Sequence, residues 1–277
     1  MKTVHLKHLV GLSVLLWSGV AQAYRPFDGT DADVAEKGKY ELELGPGYVS
    51  QRGGRTAVAP WMINNLGIAQ GHELVLEAHH FLRIGDGDVP RSRIGDNGFF
   101  LKSVVRRGSL QDLTGPSVAT EIGVLLPEYH DNPHPGASFG TIFSQRFAAF
   151  AAHLNVVSVF TRTREYNLFT GLIMEGPALW PVRPVAELFL QRTFGGGPAF
   201  SEGLTRSVLV GAIAPIDEGV VLDAGMRVAR GPEGDVFELR IGLTLSMQVF
   251  GGDVEAVPVE VHHHHPRTEA HPPPGPR

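Results

Sequence analysis

From Val236 to Phe250 the chain reads VFELRIGLTLSMQVF and alternates apolar and polar residues almost without error. Phe237, Leu239, Ile241, Leu243, Leu245, Met247 and Val249 form one series, and Glu238, Arg240, Gly242, Thr244, Ser246 and Gln248 the other. Successive side chains of a strand point to opposite faces, so this strand has an apolar side and a charged side. It is also longer than the usual strand of about five or six residues. A tilted strand crossing a bilayer, with lipid on one face and a polar lumen on the other, has this length and pattern. An edge strand of a soluble sandwich shares it.

The N-terminus bears on that choice. Residues 1–23 begin with Lys2 and Lys7, continue through an apolar core from Leu9 to Val20, and end in Ala21-Gln22-Ala23. That is the pattern of a secretory signal cleaved after Ala23. No later segment has the eighteen or so apolar residues that a spanning helix needs, because Phe147 to Phe160 is interrupted by His153 and Asn155. An exported chain of this kind can enter a membrane only as a closed barrel, since open sheet edges are not tolerated in hydrocarbon. The 34 glycines and 20 prolines suit many strands joined by turns. With no cysteine, disulfides, redox thiols and cysteine zinc sites are excluded, and a net charge of -5 gives no nucleic-acid footprint.

About twelve strand-like segments follow, near 38–50, 56–68, 72–84, 97–107, 116–127, 138–149, 152–162, 166–177, 182–194, 203–213, 219–230 and 235–250. An even number is what bacterial barrels use. Turn chemistry marks the breaks, as in Gln51-Arg-Gly-Gly-Arg55, Gly85-Asp-Gly-Asp88, Pro133-His-Pro-Gly136 and Arg230-Gly-Pro-Glu-Gly234. The expected fold is an all-β antiparallel transmembrane barrel over 38–250. A leader or plug over 24–37 precedes it, and a disordered His/Pro-rich tail over 251–277 follows. With both termini periplasmic, outer breaks near 85–96, 128–137 and 194–202 are expected to be longer than inner ones near 69–71, 150–152 and 178–182.

The opening Arg25-Pro-Phe-Asp-Gly-Thr-Asp-Ala-Asp-Val-Ala-Glu-Lys-Gly-Lys-Tyr-Glu-Leu-Glu-Leu-Gly45 resembles the start of the "MetA-pathway of phenol degradation", or transporter-like, family of Gram-negative outer-membrane barrels. Gly95-Asp96 leading to Lys102, Gly123-Val-Leu-Leu-Pro127, His153-Leu-Asn155 and Val185-Ala-Glu187 add to the likeness, which runs over about 25–250. The resemblance implies a channel or facilitator in the outer membrane for small molecules, hydrophobic or aromatic ones included. It implies lipid and the barrel-assembly machinery as partners, and no particular substrate. Family barrels end near an aromatic residue of the last strand, whereas here a tail follows Phe250.

Taking the polar face of each strand as lumen places there Lys39, Glu41, Glu43, Glu73, Glu77, His79, Lys102, Arg106, Glu121, Arg146, His153, Asn155, Asn167, Glu175, Arg183, Glu187, Gln191, Asp223, Arg227, Glu238 and Arg240. Enclosed charges need partners, so ion-pair ladders across neighbouring strands are expected, and thinning them, for example by Arg146→Ala with Glu187→Ala, should raise conductance. These side chains either fill and stiffen the lumen or line a permeation path. An arginine at Leu243 should be harmful, and one at Thr244 tolerated if the lumen has room. The acidic leader, with Asp28, Asp31, Asp33 and Glu36, either stays periplasmic or enters the lumen against Arg106, Arg146 and Arg183.

Catalysis finds little support. There is no Gly-x-Ser-x-Gly elbow, and nothing fixes His80 and Ser103, both on lipid-facing positions, into a site. Adjacent His79 and His80 point to opposite faces and cannot chelate together. His130 to His134 reads as a loop. No cofactor is expected, and the weak metal candidates are His262, His263, His264 and His265 in the tail. A non-conducting structural or partner-binding barrel is the alternative function, and a lipid-modifying enzyme the least supported one.

Overall fold

A computed structural model describes residues 26–85, 91–128, 133–195 and 202–251. Twelve strands make one closed antiparallel barrel: β1 (Lys39–Gln51), β2 (Gly54–Ala69), β3 (His72–Ile84), β4 (Ser92–Arg106), β5 (Ser117–Leu125), β6 (Gly136–Arg146), β7 (Ala151–Phe160), β8 (Tyr166–Glu175), β9 (Arg183–Phe194), β10 (Gly203–Asp217), β11 (Val220–Gly231) and β12 (Gly234–Gln248). Each strand pairs with its sequence neighbours, and β1 closes the ring on β12, from Lys39 opposite Gln248 to Gln51 opposite Val236. The pairing shifts register between Gly45 and Gly47, between Val58 and Trp61, and between Pro215 and Asp217. Prolines 46, 60 and 215 stand at these shifts, because a residue without an N–H cannot complete the ladder.

The outward face is apolar around the ring, with Leu101, Ile122, Phe139, Leu172, Leu188, Val210, Leu222 and Ile241 all exposed. Aromatic residues gather at both ends of that band. Tyr166 contacts both Phe160 and Phe194 at the ends of β7 to β9, and Phe147 stacks on Phe150 at the opposite rim. Paired girdles of this kind mark the two membrane–water interfaces.

Connection lengths alternate only in part. The turns at 52–53 and 232–233, on the expected outer side, are as tight as those at 70–71 and 218–219 on the other. The connection at 107–116, on the expected inner side, is long and carries one turn of 3-10 helix at Ser109–Gln111. It is long because it reaches under the barrel mouth, where Leu110 packs with Ala32, Ala119 and Ile142.

The interior departs from the expected polar lumen. Val58, Val75, Ile142, Ile173, Leu209 and Ile213 are almost wholly buried there, beside charged groups. Glycines on the inner wall give room to aromatic rings: the Phe100 ring lies over Gly98 and over its register partner Gly123, where any Cβ would collide with it. Thr244 is also fully buried. It does not face open lumen, so the condition set for tolerating an arginine there, room in the lumen, is not met.

Ile241 is 59% exposed on the lipid side of β12. Ile241→Arg should therefore destabilise the barrel by about 2–4 kcal/mol if it lies near the midplane. Loss of the compact, heat-modifiable band on unboiled gels would show it, while Gln248→Arg at the rim should keep that band.

Candidate functional site

The chain before β1 has no strand pattern, yet it lies inside the barrel. Two glycines set its entry. Gly38 has a positive φ of 80°, donates its N–H to the Gly67 carbonyl at 2.7 Å and accepts from the Val249 N–H at 2.8 Å. A Cβ on Gly67 would strike the Glu36 carbonyl, so the wall must be bare where the segment crosses it. From that rim the segment climbs to mid-barrel.

Irregular backbone away from water must find other partners, and wall side chains supply them. Glu73 accepts the Ala35 N–H at 2.6 Å, and Ser144 accepts the Ala32 N–H at 2.8 Å. Asn155 accepts the Thr30 N–H at 3.0 Å and donates back to the Thr30 carbonyl at 2.8 Å. The Glu187 carboxylate takes the N–H groups of Asp28 and Gly29, each at 2.8 Å. Gln111, from the long connection below, donates to the Ala32 carbonyl and to Asp33.

Charge completes the dock. Arg240 donates to the carbonyls of Pro26 and Phe27 at 2.6 and 3.1 Å and to the Asp28 carboxylate at 2.6 Å, while its Nε holds Glu238 at 2.8 Å. Its guanidinium also stands 4.4 Å from the centre of the Trp61 ring. Arg227 pairs with the other Glu238 oxygen and with Asp28. Lys102, wholly buried, donates to Thr30 Oγ1 at 3.1 Å and lies 3.7 Å from both Asp31 and Glu73. Phe27 packs on an apolar patch of Ile173, Val185, Leu209, Ile213 and Val221.

Burial alone would push the Asp28 carboxyl up, but Arg240 and Arg227 outweigh it and hold it below the usual carboxylate range. Asp33 moves the other way: burial, then the charge of Asp31, push it up.

Above the segment, toward the end of the barrel away from the termini, lies a cavity of about 420 Å³. Phe27 to Gly29 line its floor; Val49, Val58, Ile63, Trp61 and Phe81 form apolar and aromatic walls, with Glu77, His79 and Asp96 facing in. His79 packs at a tilt against Trp61, with ring centres 4.6 Å apart; its Nδ1 lies 3.4 Å from Asp96, and its buried Nε2 has no hydrogen-bond partner among the described residues. Asp96 therefore favours the tautomer with the proton on Nδ1.

Of the residues expected inside, Glu41, Glu43, Glu73, Lys102, His153, Asn155, Glu175, Arg183, Glu187, Asp223, Glu238 and Arg240 are buried there, and Glu77, Glu121, Asn167, Gln191 and Arg227 are half-buried. Glu175 receives Arg183 at 3.2 Å and His153 at 3.6 Å, and Lys39 reaches Glu41 at 3.0 Å near the rim. Two placements are corrected. Arg146 is exposed and meets Asp112 at 3.2 Å instead of lining the lumen, because the register carries it past the last covered position of β6. Arg106 lies exposed beyond the register shift at the end of β4. Nor do Arg106, Arg146 and Arg183 receive the acidic segment; Arg240, Arg227 and Lys102 do.

Residues the alternation did not flag include Ser144, Asn65 and Gln111, and Arg162, which ties the carbonyls of Leu126 and Asn97 together, each at 2.6 Å. Ser144 and Asn65 sit on inward positions and were open to the same reasoning; Arg162 lies in a turn and carried no signal. His80 contacts Ser92, and Ser103 contacts His72, so the His80 and Ser103 positions do not meet. Among the described residues no group of three or more metal-ligating side chains converges. His262 to His265, residues 129–132 of the His130 to His134 loop, and the signal segment lie outside the described residues.

No family model matches the chain, and no curated protein does. Solved structures do. The COG4313 outer membrane channel from Pseudomonas putida F1 superposes with a TM-score of 0.58 at 10% identity, over 80% of this chain and 100% of that one. The NanC porin gives a TM-score of 0.55 at 8% identity, over 74% of this chain and 98% of that one. The fold is that of an outer-membrane β-barrel. At such identities the likeness speaks for the barrel and not for any substrate.

Two outcomes test the dock. Glu187→Ala leaves the Asp28 and Gly29 amides without acceptors, at about 1–3 kcal/mol each, so hydrogen exchange of 28–30 should quicken about tenfold or more. Because the Asp33 carboxyl is raised, the docked segment favours its neutral form. That share of stability is complete below the ordinary carboxylate value and is lost as pH rises through the raised one. Asp33→Asn should then slow exchange over 31–35 at neutral pH, with the difference vanishing on acidification.

Proposed function

We propose that this protein is an outer-membrane channel for small molecules, taking apolar and aromatic solutes among them, with the 26–38 segment as its internal constriction. The observation that carries this is the cavity at the outer end, walled by Trp61, Phe81 and aliphatic side chains and floored by a segment held through separable polar contacts. Roughly twelve strands enclose more room than the eight that side chains alone fill, and less than a sixteen-stranded porin. The likeness of the opening residues to the transporter-like family supports the same reading. In it, the chain is exported by a signal cleaved after Ala23 and assembled by the barrel-assembly machinery, both termini facing the periplasm.

A second reading is a closed barrel whose rim binds a partner. It is favoured by the completeness of the packing, in which Ala32 and Lys102 have no exposed surface at all.

Planar bilayers decide between them. The mature protein should show small conductance that rises when residues 24–37 are deleted or when Glu187→Ala and Arg240→Ala are combined. Deletion removes Asp28, Asp31, Asp33 and Glu36 from beside Arg227, Arg240 and Lys102, so selectivity should shift toward anions. If folded protein, whole or deleted, neither conducts nor admits small solutes in liposome swelling, the channel reading fails and the closed barrel stands.

A further inference from the structure

The outward face of β9 to β11 carries a feature that membrane crossing does not require. Arg192, Arg206 and Arg230 lie on three adjacent strands at the end of the apolar band away from the termini. Arg206 stands directly opposite Arg230 in the β10–β11 register and opposite Leu190 in the β9–β10 register, which sets Arg192 one diagonal step away. Like charges directly opposite on one face of a sheet repel. Arg230 has Asp235 at 2.8 Å, and Arg192 lies 5.5 Å from the Phe194 ring centre. Arg206 has no acceptor among the described residues.

Below the arginines the same face is hollowed. A groove of about 500 Å³ runs between β8 and β11, walled by Leu172, Leu188, Leu190, Val208 and Val228, with Arg206 and Arg230 at one end. Its walls are apolar side chains facing lipid. A long apolar channel closed at the interface by two guanidiniums matches an acyl chain that carries a phosphate at its head. Guanidinium forks bind phosphate oxygens in pairs, and one phosphate between Arg206 and Arg230 turns their repulsion into attraction.

We propose that this face is a binding site for a phosphorylated acyl lipid of the outer leaflet. Its phosphate bridges Arg206 and Arg230 with Arg192 beside it, and one acyl chain lies in the groove toward Leu172. The occupant is lipid A, since the arginines are at the barrel end opposite the termini and that end faces the outer leaflet when the termini are periplasmic. The site is independent of conduction, because none of these side chains reaches the cavity above the luminal segment.

Native mass spectrometry of the mature protein in detergent tests the proposal, with lipid A, phosphatidylglycerol and phosphatidylethanolamine offered at equal concentration. One lipid A should be retained at least tenfold better than phosphatidylethanolamine, and Arg206→Gln with Arg230→Gln should abolish that preference. Arg55→Gln, an exposed arginine on β2, should leave it intact. Leu188→Trp fills the groove without touching a charge and should weaken retention severalfold, so the proposal stays exposed even if the double variant fails to fold. Equal retention of lipid A and phosphatidylethanolamine, or full retention by folded double variant or by Leu188→Trp, overturns it. Phosphatidylglycerol held as firmly as lipid A overturns the assignment to the outer leaflet.

Discussion

A backbone amide left without a partner away from water costs about 1–3 kcal/mol, and that one constraint organises both the wall and its contents. In the wall it forces closure: no strand edge is left in hydrocarbon once β1 has paired with β12. Inside, the 26–38 segment has no ladder to join, so inward side chains act as its partners one amide at a time. Glu187, Asn155, Ser144 and Glu73 lie on four different strands, and each meets the segment because the ring has already fixed its height and direction. The dock therefore depends on the barrel, whereas the barrel's hydrogen bonds do not depend on the dock.

Arg240 shows how charge builds on that arrangement. It touches two backbone carbonyls, two carboxylates and the Trp61 ring, which is close to all that a guanidinium can satisfy. Removing one member of such a buried set commonly costs about 3–5 kcal/mol, because the others are left charged and unpaired. A segment leaving the lumen would vacate three of these contacts together. Glu238 would remain beside both Arg240 and Arg227, so the wall keeps a neutralising carboxylate when the segment's own Asp28 is gone. That makes displacement of the segment less costly than the number of its bonds suggests.

The wall was legible in the sequence because its determinants are local. Alternation over 235–250 fell within two residues of the observed β12, and the twelve segments stand in their observed order, most of them separated by turns that contain Gly, Pro or Asp. The contents were not, because pairing across a lumen depends on register and strand height, which alternation does not carry. Arg146 and Glu187 share the inward parity yet sit at different levels, one at the rim and one in the middle. The sequence left the 24–37 leader open between periplasm and lumen for a further reason: the segment's partners on the wall are side chains 38 to 214 residues away along the chain. The apolar patches on the inner wall were missed because a strand such as β10, with Ser207, Leu209, Gly211 and Ile213 inward, shows no contrast between its faces.

That lack of contrast has a functional side. An apolar patch on the inner wall of β8 to β11 takes Phe27, while Lys102 of β4, Arg227 of β11 and Arg240 of β12 face the segment's carboxylates. The segment is amphipathic across its width in the same sense, with Phe27 to one side and Asp28 and Asp31 to the other. The seated orientation is favoured, since a half turn would set its carboxylates on aliphatic side chains and take Asp28 away from Arg240. The cavity above inherits the same two-sided chemistry from Trp61, Phe81 and Val58 against Glu77, Asp96 and His79. A solute that is apolar over most of its surface and carries one hydrogen-bonding group can satisfy both sides at once. A fully polar solute would leave the aromatic side wetted, and a pure hydrocarbon would leave the acceptors bare.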